Sequence, residues 1–408
     1  MTRTWQILTG LAAGVALGAV WDWADWPVMA QAVAGAEAVG GLWLDALKMT
    51  IVPLVFALIV SGIVSTTHAA AAGRVTGRSI LLFAILLPAG AVVSALVTPI
   101  LLALWPIPEQ AAAALVAATP PAGAVPAAAA GPFEFIRAFI APNVIAAAAD
   151  GAMLALAVFA LIFGFAITRI EPARQASLRM FFEAIAEAML VIVGWVLLVA
   201  PIGVFALAFA VGAQTGFGSL GAFAHYVAIV SLTLIVITLL AYPLAVFGGR
   251  IRLAAFARAM IPAQSVAIST QSSLASLPAM IDAARGPLAQ PPHVVGITLP
   301  LAVSLFRFTS PAGNIAVAIY IAGLHGIDLS FWQLAAGVIV AAIVSVAAVG
   351  IASAVTFFAL MAPICLAMGV PIELLALLIA VETIPDIFRT IGNVTADVAV
   401  TTVIGGRS

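Results

Sequence analysis

Most of this chain is a succession of apolar runs of about twenty residues, the length a helix needs to cross the hydrocarbon core of a bilayer. Such runs can be placed at 6–21, 39–66, 79–105, 143–168, 182–212, 224–248, 295–322 and 375–403, and two more, 259–282 and 333–370, are interrupted by polar or small residues. Of the 408 residues only 8% are charged and 65% are hydrophobic. A soluble domain carries about 25% charged residues, so this chain cannot cover a water-facing surface of ordinary size. An all-α polytopic membrane protein follows. With a formal charge of −1 and no basic stripe, nothing points to a nucleic-acid partner. The single cysteine, Cys365, excludes an intramolecular disulfide and a cysteine zinc cluster, and reads as a small apolar residue in a buried helix.

Arg3 followed by the run Ile7–Val20 has the outline of a signal peptide, but the many later spans favour a first membrane helix. Trp21, Trp23 and Trp26 cluster where that run ends, as an interfacial belt does. The Ala/Pro-rich stretch Pro106–Pro132 reads as an irregular connection or broken helix. Arginines follow alternate spans: Arg74 and Arg78, then Arg169, Arg174 and Arg179, then Arg250, Arg252 and Arg258. The other loops carry acids or almost no charge. Arginine is retained on the cytoplasmic side, which puts the N-terminus inside a multi-pass protein of the inner (plasma) membrane.

The last apolar run carries the strongest functional signal. Counting from Asp386, Arg389 lies at i+3, Thr390 at i+4, Asn393 at i+7 and Asp397 at i+11, with Glu382 at i−4. These offsets share one helical face. Ionised groups at mid-bilayer cost at least about 2.5–3.5 kcal/mol each, so they face a cavity and serve a function, or satisfy one another in a structural seam. Chemically, a carboxylate such as Asp386 can hold an ammonium group. A guanidinium such as Arg389 can grip a carboxylate through two parallel hydrogen bonds. Asn393 both donates and accepts.

The run 259–282 is broken by Ser269-Thr270-Gln271-Ser272-Ser273-Leu274-Ala275-Ser276-Leu277-Pro278. Hydroxyls ending in a proline free backbone groups, which is tolerated at membrane depth only inside protein or beside a cavity. The reading is a re-entrant hairpin with Ser272 and Ser273 at its tip; a cytoplasmic Ser/Thr loop is the alternative. Gly350–Thr356 interrupts 333–370 more weakly. Two interrupted segments in corresponding halves point to a transporter site at a repeat interface. No nucleophile–histidine–acid arrangement or phosphate-binding glycine loop is present, so an enzyme is not expected. His68, His225, His293 and His325 lack metal-ligand spacing and read as interfacial. No resident cofactor or metal is expected.

The segment Asp386-Ile-Phe-Arg389-Thr390-Ile-Gly-Asn393-Val-Thr-Ala-Asp397 closely resembles the last-helix motif of the glutamate transporter family, the dicarboxylate/amino acid:cation symporters. Lys48–Phe56, Ala200–Leu207, the Ser269–Pro278 run and Thr298–Leu301 are similar to further family segments, in the right order. The resemblance implies inverted repeats, with eight membrane helices, two re-entrant hairpins and a homotrimer working as elevators. On that pattern 1–72 holds scaffold helices 1–2 and 73–105 transport-domain helix 3. Scaffold helices 4–5 then occupy 106–215, and 216–408 holds helix 6, hairpin 1, helix 7, hairpin 2 and helix 8. By the same resemblance Asp386 takes the substrate amino group and Arg389 its side-chain carboxylate. Thr390, Asn393, Ser272, Ser273 and Ser310 complete the site. Having both Asp386 and Arg389 favours aspartate or glutamate over a dicarboxylate or a neutral amino acid.

The seventh helix departs from the family. Where relatives carry Asn-Met-Asp-Gly-Thr, this chain has Phe306-Arg307-Phe308-Thr309-Ser310. Phenylalanine offers no oxygen to a hard cation, which needs several. In the third helix Phe83, Leu86 and Leu87 stand where the deepest sodium site takes its hydroxyls. Gln271 replaces an arginine of some prokaryotic relatives, and Asn314 the proton-carrying glutamate of mammalian ones. The expectation is that Arg307, a permanent cation, replaces sodium opposite Asp397. Transport would then be sodium-independent, proton-coupled through Glu382 or Asp397, or facilitated; Arg307 pairing structurally elsewhere is the alternative. Within the carriers, the runner-up is a sodium- or proton-coupled carrier of another small amino acid or dicarboxylate. From another class, an uncoupled anion channel could use the same stripe.

Overall fold

In a computed structural model, residues 3–23, 29–71, 73–117, 132–216, 218–347 and 353–406 are described, and among these all regular structure is helical. The first apolar run forms α1 (Arg3–Trp23). The second is not one helix but two, α2 (Met29–Lys48) and α3 (Ile51–Ala71), meeting at Met49-Thr50, where the Thr50 hydroxyl turns back to the Leu47 carbonyl (2.8 Å). The third is α4 (Arg74–Leu104). The stretch read as irregular begins with a nine-residue helix, α5 (Glu109–Ala117), because alanine and glutamine carry helix propensity; residues 118–131 lie outside the described part.

Beyond it come α6 (Pro132–Arg137), α7 (Val144–Ala149) and α8 (Met153–Ile167), so the run 143–168 breaks at 150–152. The run 182–212 likewise divides into α9 (Pro172–Leu198) and α10 (Ala200–Thr215), with Val199 between them and Pro201 in the new first turn. Then follow α11 (Gly218–Leu239), a short α12 (Ala241–Pro243) and a π-helical turn, Leu244–Gly248. Next come α13 (Leu253–Thr270) and α14 (Ser273–Arg285), then α15 (Pro292–Leu305) and α16 (Thr309–Leu324). The chain closes with α17 (Phe331–Ala347), α18 (Ser353–Met368), α19 (Leu375–Val381) and α20 (Thr383–Gly405). Among the described residues, six helical stretches are long and apolar enough to cross a membrane: Gln31–Thr67, Arg74–Leu104, Pro172–Leu198, Leu220–Gly248, Pro292–Leu324 and Thr383–Gly405.

Lipid offers no hydrophobic drive for helices to associate, so small and polar residues decide which faces meet. Helix α4 is built on this rule. Leu81, Ile85, Val92, Leu96, Ile100 and Leu104 are exposed along one face, while Ser79, Gly90, Ala91, Ser94 and Thr98 are buried on the other. Ser94 donates to the Ala312 carbonyl of α16 at 2.6 Å, and Thr98 and Thr233 hydroxyls lie 3.4 Å apart. The same rule joins α1 to α10. Gly14 and Gly18 lie against the backbone of Phe205–Ala213, and Gly212 against the backbone of Val15, so closely that an added Cβ would overlap main-chain atoms. Gly212→Ala should therefore lower the melting temperature of the detergent-solubilised protein, since overpacking costs about 1–3 kcal/mol. An unchanged melting temperature would show that the two backbones can part freely.

The run 259–282 breaks into two helices at its Ser/Thr stretch. Helices α13 and α14 pack on each other, with the reversal at Gln271 (φ 51°) and Ser272. Helices α17 and α18 also pack together, but the expected Gly350 interruption falls in 348–352, outside the described residues. The side chains of the Trp21–Trp26 belt also lie outside the described part. The apolar interior falls into two clusters. One gathers α1–α3, α8–α11 and α16–α19; the other gathers the start of α4 with α13–α15 and α20. Helix α20 is buried along its length, with Asp397 fully inaccessible.

Candidate functional site

A carboxylate inside a membrane protein needs a cation or hydrogen-bond donors beside it. At the α19–α20 junction Glu382 has both. Its Oε1 lies 2.6 Å from Nη2 of Arg389, and its Oε2 accepts from the Tyr226 hydroxyl of α11 at 2.7 Å. The seven-residue separation brings Glu382 and Arg389 onto the same face two turns apart. Arg389 also reaches Asn314 Oδ1 on α16 (3.4 Å), and its Nε stands 3.9 Å from Asp386 Oδ1. All three ionisable groups are buried. Gly313 makes the room: a Cβ there would come within 3.1 Å of Arg389 Nη2 and of Leu234 Cδ2.

The middle of the stripe serves a broken helix. The run 295–322 opens at Phe306-Arg307-Phe308, between α15 and α16. Pro311 has no N–H to return toward the Arg307 carbonyl, which Ser310 N takes instead at 2.9 Å. The freed Thr309 N–H donates to Asn393 Oδ1 at 2.9 Å; the Thr309 hydroxyl stands 2.8 Å from the same oxygen and 2.7 Å from the Arg389 carbonyl. Asn393 thus holds the first turn of α16 from α20 through its Oδ1. Thr390 donates to the Asp386 carbonyl of its own helix at 2.9 Å. Ser310 is buried with no partner for its hydroxyl.

At the lower end, both carboxylate oxygens of Asp397 are buried without a hydrogen bond. The charge acting on Asp397 is that of Arg307, which also interacts with Asp386 and Arg389. Around the break, Phe83 of α4 stacks on Phe306 (centroids 4.6 Å apart, 16° between planes), and Phe306 tilts against Phe308 at 5.7 Å. A hard cation takes several oxygens. Here the chain brings rings at 306 and 308, a guanidinium at 307 and one carboxylate. Positions 306 and 308 therefore supply no side-chain oxygen to a cation.

The stripe residues expected to act together are therefore brought together, with Arg307 and Ser310 beside them. Ser272 and Ser273 are not joined to them by hydrogen bonds. Ser272 caps α14, its hydroxyl accepting from Ala275 N at 3.2 Å, and Ser273 opens the helix. Tyr226 and Thr309 were not singled out in the sequence; nothing in the spacing along α11 or α16 ties them to α20. His225, read as interfacial, lies at the start of α11 beside the end of α4 and is covered by protein, 3% exposed, because α4 and α16 close over it.

Comparison with known proteins agrees with the resemblance. The model of the sodium:dicarboxylate symporter family matches residues 4–406. The proton/glutamate-aspartate symporter of Escherichia coli (strain K12) is 28% identical over 411 residues, covering 98% of this chain and 91% of that protein. The proton/sodium-glutamate symport protein of Bacillus subtilis (strain 168) is 26% identical over 399 residues, covering 96% and 89%. C4-dicarboxylate transport protein 2 of Bradyrhizobium diazoefficiens is 27% identical over 359 residues, covering 86% and 76%. The chain belongs to the sodium:dicarboxylate symporter family, as a multi-pass membrane secondary transporter and not an enzyme.

Proposed function

We propose that this chain carries acidic amino acids such as aspartate or glutamate, that it does so without sodium, and that a proton on Glu382 couples the movement. The observation that supports this most is the 2.6 Å contact between Glu382 and Arg389. The guanidinium already holds a carboxylate, one supplied by the protein itself. A substrate carboxylate of the same chemistry can displace it. Glu382 would then be a buried anion with Tyr226 as its remaining strong partner, and losing one member of a buried pair costs about 3–5 kcal/mol. Taking up a proton, –COO⁻ becoming –COOH, removes that cost. Substrate and proton therefore load together.

Asp386, one turn before Arg389, supplies the counter-charge for the substrate ammonium group and favours an amino acid over a plain dicarboxylate. Relatives named for glutamate-aspartate and for C4-dicarboxylates both exist, so the amine is the discriminating feature. Arg307 stands as a fixed cation for Asp397 in place of a sodium ion. One relative is named for proton symport and another for proton/sodium symport; the loss of oxygen ligands at 306 and 308 favours the proton. On this reading Ser273, Ser272 and Ser310 approach the substrate when hairpin 1 closes. The assembly is a homotrimer in the inner membrane, N-terminus inside. Residues 73–105 and 216–408 move as elevators against 1–72 and 106–215.

Calorimetric titration of the purified protein with L-aspartate, L-glutamate and succinate, in buffers of different ionisation heat, tests the reading. L-Aspartate or L-glutamate should bind more tightly than succinate, with a proton uptake that Glu382→Gln reduces. Tighter binding of succinate would make the chain a dicarboxylate carrier. Binding of none of the three, with a substrate-independent current in bilayers, would make it a channel.

A further inference from the structure

The coupling just proposed uses Glu382, and a second buried titratable group, His225, adjoins Tyr226, the residue that donates to Glu382. His225 sits at the start of α11 with both ring nitrogens engaged: Nε2 stands 3.1 Å from the Trp105 carbonyl and Nδ1 3.0 Å from the Tyr320 hydroxyl. A carbonyl only accepts, so Nε2 carries a hydrogen in either charge state. The Tyr320 hydroxyl is also 3.0 Å from the Ala222 carbonyl, and it has one hydrogen to give. With a neutral ring, Nδ1 and Ala222 compete for that hydrogen. With a proton added at Nδ1 the competition ends: Nδ1–H donates to Tyr320, Tyr320 donates to Ala222, and every contact is a hydrogen bond. The Trp105 carbonyl also lies at the C-terminal end of α4, the negative pole of a 31-residue helix. The donor count is one short without the proton and complete with it.

The surroundings supply the reason to load it. Tyr226, the next residue, holds Glu382, and its ring meets that of Tyr320 edge-on at 5.2 Å. Of the other elements packed on α11, α4 contributes Arg74 and Arg78 at its opposite end, α5 the exposed Glu109, α12 Tyr242, α10 and α19 no ionisable residue, and α20 Asp386, Arg389 and Asp397. His325, five residues beyond Tyr320 at the C-terminal end of α16, is engaged with the Ile321 carbonyl of its own helix. Counted with every group ionised, Glu382, Asp386 and Asp397 against Arg389 and Arg307 put this cluster at −1 (three acids, two arginines). An acidic amino acid, itself −1, takes it to −2, and one proton on Glu382 returns it only to −1. A buried charge of that kind is costly.

Resting on the acidic-substrate reading, we propose that His225 is a second proton-binding residue of the transport cycle, loaded when the anionic substrate arrives. Its proton comes from the membrane face opposite Arg74 and Arg78, where α4 ends at the half-exposed Trp105.

The chain has four histidines, few enough for ¹⁵N-histidine NMR on the full protein in micelles, with His225 assigned by the signal lost in His225→Gln. Saturating L-aspartate should move the His225 titration midpoint to higher pH. His225→Gln should bind L-aspartate with fewer protons taken up per substrate, and its uptake should fall off at a lower external pH than the parent's. Tyr320→Phe, which keeps the ring packing and removes the contested hydroxyl, should reduce the midpoint shift without loss of folding. An unmoved midpoint with L-aspartate bound overturns the proposal alone. If L-aspartate does not bind, the acidic-substrate reading fails and the proposal falls with it.

Discussion

Arg389→Ala abolishes uptake of labelled L-aspartate, with binding weakened by at least about a hundredfold. The guanidinium is the one cation 2.6 Å from Glu382 and 3.9 Å from Asp386. Removing it takes away the seat for the substrate carboxylate and also leaves the buried Glu382 without its cation, a loss of about 3–5 kcal/mol, or two to three decades of affinity. Because destabilisation alone could mimic this, the double variant Arg389→Ala/Glu382→Gln separates the two effects. It should recover the melting temperature, since the displaced carboxylate is gone, and still fail to bind L-aspartate. Recovery of binding as well would mean that Arg389 is a structural partner of Glu382 and not a substrate ligand.

Arg307→Met has an effect of similar size for a different reason. Both oxygens of Asp397 are buried without a hydrogen bond, and the guanidinium acting on them comes from the break between α15 and α16. With Arg307 gone, Asp397 becomes an uncompensated buried charge, again about 3–5 kcal/mol. Uptake should fall about a hundredfold. Adding Asp397→Asn removes the charge that Arg307 was balancing and should bring uptake back to within about tenfold of the parent. Full activity of Arg307→Met alone would show that the guanidinium does not stand in for a cation.

How much of this could be read from the sequence follows from the range of the forces. The stripe was legible because 3.6-residue periodicity is local: once 382–397 was read as helix, Glu382, Asp386, Arg389, Asn393 and Asp397 had to share a face. The break between α13 and α14 was legible as a polar interruption of an apolar run, although most of its hydroxyls and Pro278 lie within the two helices and only Gln271-Ser272 forms the reversal. The break at Phe306-Arg307-Phe308 was legible as a loss of sodium ligands but not as a break. No glycine or proline stands inside it, and what holds it open is Asn393, 84 residues away, accepting from Thr309 N. Likewise no local pattern marks Tyr226 or His225. Their roles exist only because α4, α16 and α20 converge on α11. The α1–α10 contact lies between these cases: Gly10, Gly14 and Gly18 announce a close approach, and only the fold names Pro201, Phe205 and Phe209 as what they approach.

The central claim, a proton-coupled site with Arg307 in the place of sodium, comes down to which ion drives uptake. In vesicles of the reconstituted protein with an alkaline interior, L-aspartate should accumulate equally in sodium and in choline, and accumulation should vanish when the pH gradient is collapsed. Accumulation that requires sodium, and survives without the pH gradient, would contradict the account.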